Sequence, residues 1–134
     1  MKKINLAITG CMGRMGSQII KSAKKDQGFN LTALTEGKKI NKKIDGKAIN
    51  LNTDKVFKKV DLVIDFTDPQ CTFEVLRIAS KLKKRVVIGT TGFSKKEEGL
   101  IKKYSKKLPI LKAGNMSLGI NLFCLLYTSD AAAE

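Results

Sequence analysis

The residues best suited to chemistry in this 134-residue chain lie in short loops, and glycine dominates the first of them. Gly10-Cys11-Met12-Gly13-Arg14-Met15-Gly16 follows the apolar run Ile4–Thr9 and precedes a stretch with helical spacing. Glycine at 10 allows a tight turn, glycine at 13 lets backbone approach an anion, and glycine at 16 permits close helix–strand packing. The free N–H groups of the helix start then face that anion, so the chemistry on offer is the cradling of a pyrophosphate. The spacing is G-x-x-G-x-x-G rather than the generic dinucleotide G-x-G-x-x-G, and a plain structural turn is the competing reading.

Glu36 closes a second apolar run, 20 residues after Gly16. A carboxylate there can accept both ribose hydroxyls of an adenosine half. The alternative is a solvated turn residue ahead of Gly37. Lys38 and Lys39 follow directly and can hold a 2′-phosphate as point charges, which leaves both NADH and NADPH open. Three further loops repeat the pattern of strand end, glycine or hydroxyl, then helix. They are Asp65-Phe66-Thr67-Asp68-Pro69, Gly89-Thr90-Thr91-Gly92-Phe93 and Lys112-Ala113-Gly114-Asn115-Met116-Ser117. Any one of them could be structural. Four such loops at the carboxyl ends of four strands converge on one crevice, where open α/β sheets bind ligands.

Other reactive types are sparse. Histidine is absent, which removes the commonest proton carrier near neutral pH. The cysteines at 11, 71 and 124 are too far apart for a zinc site or a disulfide framework, so no metal is expected. Cys11, beside Arg14 and a helix start, reads either as a thiol of lowered pKa or as a small loop filler. Cys71 and Cys124 read as buried or incidental.

The elements that must position these loops alternate. Strands are expected over 4–9, 29–35, 61–67, 85–89 and 109–112, with a short one near 48–51 in an otherwise loop-like polar stretch over 38–53. Helices are expected over 17–25, 54–59, 72–83 and 94–106, with Ser117 as the N-cap of a last one. Pro69 is expected to open a loop before the helix at 72. Continuous apolar strands alternating with amphipathic helices predict an α/β domain, a doubly wound parallel sheet of the Rossmann type.

With 43% hydrophobic and 28% charged residues, the chain can build one packed domain, placed here at 1–124. Residues 125–134 abandon both the apolar pattern and the lysine bias, and read as an atypical tail or a sequencing artefact. No apolar run approaches the roughly 18–20 residues of a membrane span. With no signal-like start either, a cytoplasmic address is expected. Lysine and arginine total 26 against 12 acids, a formal net charge of +14. Lysine pairs recur along the whole chain instead of gathering on one element, and arginine forks and stacking aromatics are few. Nucleic acid is therefore not the expected partner.

Taken together, the loops at 10–16, 65–69, 89–93 and 115–121 resemble the dihydrodipicolinate reductase (4-hydroxy-tetrahydrodipicolinate reductase) family of the diaminopimelate route to lysine. The resemblance spans about residues 3–123, and the G-x-x-G-R-M-G plus G-T-T-G-F pair is its most specific part. It implies a reductase using NADH or NADPH on a cyclic, unsaturated dicarboxylate, homotetrameric at full length. The family's pyrophosphate loop falls on Gly10, Cys11, Met12, Gly13, Arg14 and Met15, and its ribose acid on Glu36. Its nicotinamide-side segments fall on Gly89, Thr90 and Thr91 and on Ala113, Gly114, Asn115 and Met116, where the family more often has Phe after Asn. Thr91 would also help to hold a substrate carboxylate. The family's histidine-rich proton-donor segment and its K-x-D-A-P-S-G-T stretch have no counterpart here, so no catalytic residue is assigned. The expectation is weak dinucleotide binding without turnover. Rival readings are another reductase such as homoserine or aspartate dehydrogenase, a dinucleotide-sensing module, and a basic nucleic-acid binder.

Overall fold

The computed structural model describes residues 3–112 of the chain. Its strands are β1 (Ile4–Thr9), β2 (Phe29–Glu36), β3 (Lys43–Ile44), β4 (Lys47–Leu51), β5 (Leu62–Asp65), β6 (Arg85–Ile88) and β7 (Ile110–Lys112). Its helices are α1 (Arg14–Lys25), α2 (Asp54–Phe57), α3 (Pro69–Leu82) and α4 (Lys95–Tyr104). The strands form one seven-stranded sheet in the order β3-β4-β2-β1-β5-β6-β7, parallel except where β3 meets β4. This is the doubly wound α/β sheet that the alternating pattern predicts.

Alternation along the strands assigns side chains to two faces. On one face Leu6, Ile8, Leu34 and Ile64 pack with Ile19, Ile20 and Ala23 of α1. On the other, Ala7, Ala33, Val63, Val86 and Ile88 meet Phe57 of α2, Val75, Leu76, Ile78 and Ala79 of α3, and Ile101 of α4. With helices on both sides, the central strands carry apolar residues at successive positions, as covered parallel sheets do. Burying each large aliphatic side chain contributes about 1.5–3 kcal/mol.

The chain leaves β1 through α1 to β2 on one side and later fills β5 on the other, so strand order reverses between β1 and β5. The ends of these strands are level. Thr9 stands opposite both Thr35 and Asp65, and Asp65 opposite Ile88. A crevice at such a switch point is where ligands of this architecture bind.

Several element ends differ from the sequence-based expectation by a residue or two, and three differences are larger. Helix α1 begins three residues before 17, with Gly13 as an N-cap that has no side chain to reveal it. Pro69 opens no loop. It is the first residue of α3, and Asp68 caps the helix by accepting the Cys71 N–H at 2.9 Å. Proline suits that position because its N–H would lack a helical partner in any case and its φ is already helical. The polar stretch over 38–53 holds a hairpin of β3 and β4, turned by Asp45 (φ +49°) and Gly46 (φ +80°). An Asp-Gly pair is a strong two-residue hairpin signal. The strand expected near 48–51 is β4, parallel to β2. Among the described residues, no helix is long and apolar enough to cross a membrane.

Candidate functional site

The β1–α1 turn is built from backbone. The Gly10 and Cys11 N–H groups donate to the Thr35 carbonyl (3.0 and 3.4 Å), and the Gly13 N–H to the Gly10 carbonyl (3.0 Å). Gly10 adopts φ +83°, and a Cβ there would collide with the Phe66 carbonyl oxygen. A Cβ at Gly16 would collide with the Gly10 carbonyl oxygen, so that glycine serves the packing of α1 against its own entry turn. Gly13 is exposed, and a Cβ there would meet only the Gly10 oxygen, at 3.3 Å.

The amino-terminal end of α1 differs from those of the other described helices. Thr53 caps α2, Asp68 caps α3, and Ser94 and Glu97 cap α4 with a reciprocal box. No side chain caps α1, and no acid occupies its first turn. Its free N–H groups and positive dipole end stand open to an anion. The cleft in front is lined by Gly10, Gly13, Glu36, Gly37, Phe66, Thr67, Asp68 and Cys71.

Glu36, the last residue of β2, reaches this loop. Its Oε2 accepts the Met12 N–H at 2.7 Å, which ties the end of β2 to the glycine turn, and the residue lines the cleft. The solvated-turn reading of Glu36 does not describe this position. Met12, Arg14 and Met15 are exposed, as are Lys38 and Lys39 outside the cleft's lining. Cys11 is 1% exposed. Burial, together with the Glu36 charge, pushes its thiol up to about 11. The lowered-pKa reading is thereby corrected, and Cys11 is an inert filler beneath the loop.

Across the cleft the construction is of side chains. Asp65, fully buried at the end of β5, accepts from the Thr67 hydroxyl at 2.6 Å, the Thr90 hydroxyl at 3.1 Å and the Thr72 hydroxyl. The Thr90 oxygen in turn accepts the Thr67 N–H at 2.8 Å. Burial pushes the Asp65 carboxyl above its ordinary range, against the lowering pull of the three hydroxyls. The Phe66 ring lies against the α-carbon of Gly89, where any Cβ would collide with it, and the Gly89 N–H donates to the Asp65 carbonyl at 2.7 Å. Thr91 is exposed beyond this knot.

Of the residues singled out in the sequence, Gly10, Gly13 and Glu36 line the cleft, with Met12 tied to Glu36, while Gly89 and Thr90 are joined to the 65–67 segment and Thr91 lies beyond them. Ala113, Gly114, Asn115, Met116, Ser117 and Cys124 lie outside the described residues. Sequence reasoning does not single out Phe66 and Thr67 within their loop, although Phe66 touches both rims. Their place at a strand's carboxyl end, before a capping aspartate, is the available sign. Cys71 is buried and takes a hydrogen bond from Asn52 Nδ2 at 3.2 Å. Among the described residues, no group of acids and cysteines could hold a metal ion.

Comparison with known proteins agrees with this architecture. The family model described as "Dihydrodipicolinate reductase, N-terminus" matches residues 4–116. The 4-hydroxy-tetrahydrodipicolinate reductase of Pelagibacter ubique (strain HTCC1062) is 64% identical over 134 residues, all of this chain and 51% of that protein. That of Buchnera aphidicola subsp. Schizaphis graminum (strain Sg) is 44% identical over 133 residues, covering 90% of this chain and 49% of the other. The chain spans about half the length of the curated relatives it matches. Among solved structures, dipicolinate-bound dihydrodipicolinate reductase from Paenisporosarcina sp. TG-14 superposes with a TM-score of 0.70 at 24% identity, over 85% of this chain and 48% of that one. S. aureus homoserine dehydrogenase gives 0.68 at 16% identity, over 83% and 32%. Both likenesses concern the fold, which these reductases share, so the fold does not choose between them. The family match does.

Proposed function

The chain belongs to the dihydrodipicolinate reductase amino-terminal family, and from that premise we propose that it is the dinucleotide-binding part of a reductase acting on 4-hydroxy-tetrahydrodipicolinate. The observation that carries the reading is the uncapped start of α1 behind a cradle of three glycines, at the switch point of the sheet. The turn from Gly10, Cys11, Met12 and Gly13 into Arg14 and Met15 would hold the pyrophosphate through the helix dipole and the first N–H groups of α1 at Arg14 and Met15, since the N–H groups of residues 10–13 are engaged within the protein. Glu36 would take the adenosine ribose through its free oxygen. Gly89, Thr90 and Thr91, with Ala113, Gly114, Asn115 and Met116, would border the nicotinamide, and Thr91 would help to seat a substrate carboxylate.

When bound, a reduced nicotinamide supplies a hydride for the ring imine of a cyclic, unsaturated dicarboxylate. This chain's residues bind and orient, and none of them is assigned the proton transfer. The 134-residue chain is accordingly expected to bind dinucleotide without appreciable turnover. The longer reductase would act in the cytoplasm as a homotetramer. Glu36 and Asp68 line the cleft whereas Lys38 and Lys39 do not. A 2′-phosphate would meet like charge there, so NADH is the preferred cofactor.

Titration of the purified chain with NADH and NADPH, with and without pyridine-2,6-dicarboxylate, tests this. Saturable binding, tighter for NADH, is expected. Binding of neither dinucleotide would contradict the reading, and tighter binding of NADPH would contradict the cofactor preference alone.

A further inference from the structure

Resting on that dinucleotide reading, we propose that Asp65 is a positioning residue which holds the loops after β5 and β6 together through Thr67 and Thr90. These loops follow different strands, and no main-chain hydrogen bond joins the 66–68 segment to residues 90–91. The join is made by side chains. One carboxylate oxygen takes the Thr67 hydroxyl and the other takes the Thr90 hydroxyl, whose oxygen receives the Thr67 N–H. The loop so fixed touches the glycine turn as well, because the Phe66 carbonyl lies against Gly10 while its N–H donates to the Thr9 carbonyl at 3.1 Å. Asp65 is fully buried and lines no part of the cleft. It therefore acts on a ligand only through what it holds.

This assigns Thr90 a part that differs from direct contact. Its hydroxyl is engaged inside the protein, so a ligand at this rim meets Thr90 through its backbone. Gly89 is held by its main-chain bond to Asp65, but without the join residues 90–91 would have to be ordered by the ligand at binding, which lowers affinity. Thr72 supplies the control. It donates to the same carboxylate from the first turn of α3 and ties down neither loop.

The test uses the full chain with NADH as the probe, comparing Thr90→Val, Thr90→Ser and Thr72→Val by calorimetric titration and thermal melting. Both valine variants are expected to melt at lower temperature. Thr90→Val should raise Kd by about tenfold or more, while Thr90→Ser and Thr72→Val stay within about twofold of wild type. Amide exchange in the wild type gives a readout free of variants, since NADH should slow exchange at Thr67 and Thr91 together. Equal melting losses with unchanged Kd in both valine variants, or protection at only one of the two amides, would overturn the positioning role and leave the dinucleotide reading standing. Failure of the wild type to bind would remove that reading and the proposal with it.

Discussion

The glycine turn after β1 and the loop after β5 line one cleft, and the threonine knot that fixes the second of them is built in the opposite way to the turn. The turn is held by main-chain hydrogen bonds and the one side chain of Glu36, excludes side chains at Gly10 and Gly16, and leaves the helix behind it without a cap. The knot uses side chains throughout and closes on itself, with every hydroxyl pointed at a buried carboxylate or a neighbouring N–H. The contrast separates two tasks. A surface that receives an anion must keep its donors free. A surface that fixes loop geometry must use its polar groups up, because an unpaired buried one costs about 1–3 kcal/mol.

The contrast is sharpest in glycine substitutions. Gly10→Ala combines a left-handed φ with a Cβ that would strike the Phe66 carbonyl, and is expected to lose about 3 kcal/mol or more in chemical denaturation. Gly92→Ala shares the left-handed backbone (φ +89°) with nothing within 4 Å of its Cβ, and should cost only about 1–2 kcal/mol. Equal losses at the two sites would mean that the close approach of Phe66 to the turn contributes nothing.

Gly13→Ala separates binding from folding. Its Cβ meets one oxygen at 3.3 Å, so a stability change under about 1 kcal/mol is expected. The methyl group intrudes where an anion would approach the backbone, and NADH affinity should fall by about tenfold or more. Unchanged affinity, measured by titration, would break the assignment of this rim to the pyrophosphate.

On the opposite side, Asp65→Asn probes the knot through pH. The carboxyl is raised in the folded chain by burial, and the Asp68 charge adds to the rise. A folded pKa above the unfolded value of about 3.9 means that the folded state holds its proton longer. Wild type should therefore lose stability relative to Asp65→Asn as pH rises from about 4 through the folded value, and keep its advantage below. A difference that grows with rising pH would contradict this sign. The smallest effect belongs to neither rim. Gly99→Ala lies within α4 with open space around it and should stabilise by about 0.5–1 kcal/mol, read as a higher denaturation midpoint.

Legibility divides along the same line. Strand β1 stands at the residues its apolar run marks, and α3 and α4 are plain from their periodicity. The glycine rim is readable because glycine spacing is local. The start of α1 is not, since its N-cap is a glycine. Asp45-Gly46 carries a hairpin sign within two residues, masked by the lysines and asparagines around it. The knot is out of reach, because Asp65 meets Thr90 from 25 residues away and only the fold brings them together. Thr90 is readable as a hydroxyl in a loop, but not as one turned inward. The inertness of Cys11 is hidden for a related reason, since its burial and the Glu36 charge from β2 are long-range facts.

The most direct measurement is residue-by-residue amide NMR of the chain titrated with NADH. The largest shift changes are expected at Met12, Gly13, Arg14 and Met15, with a second group at residues 89–91 and little change at α4. Shifts confined to other surfaces, or none at saturating NADH, would contradict the assignment of the open start of α1 to a dinucleotide.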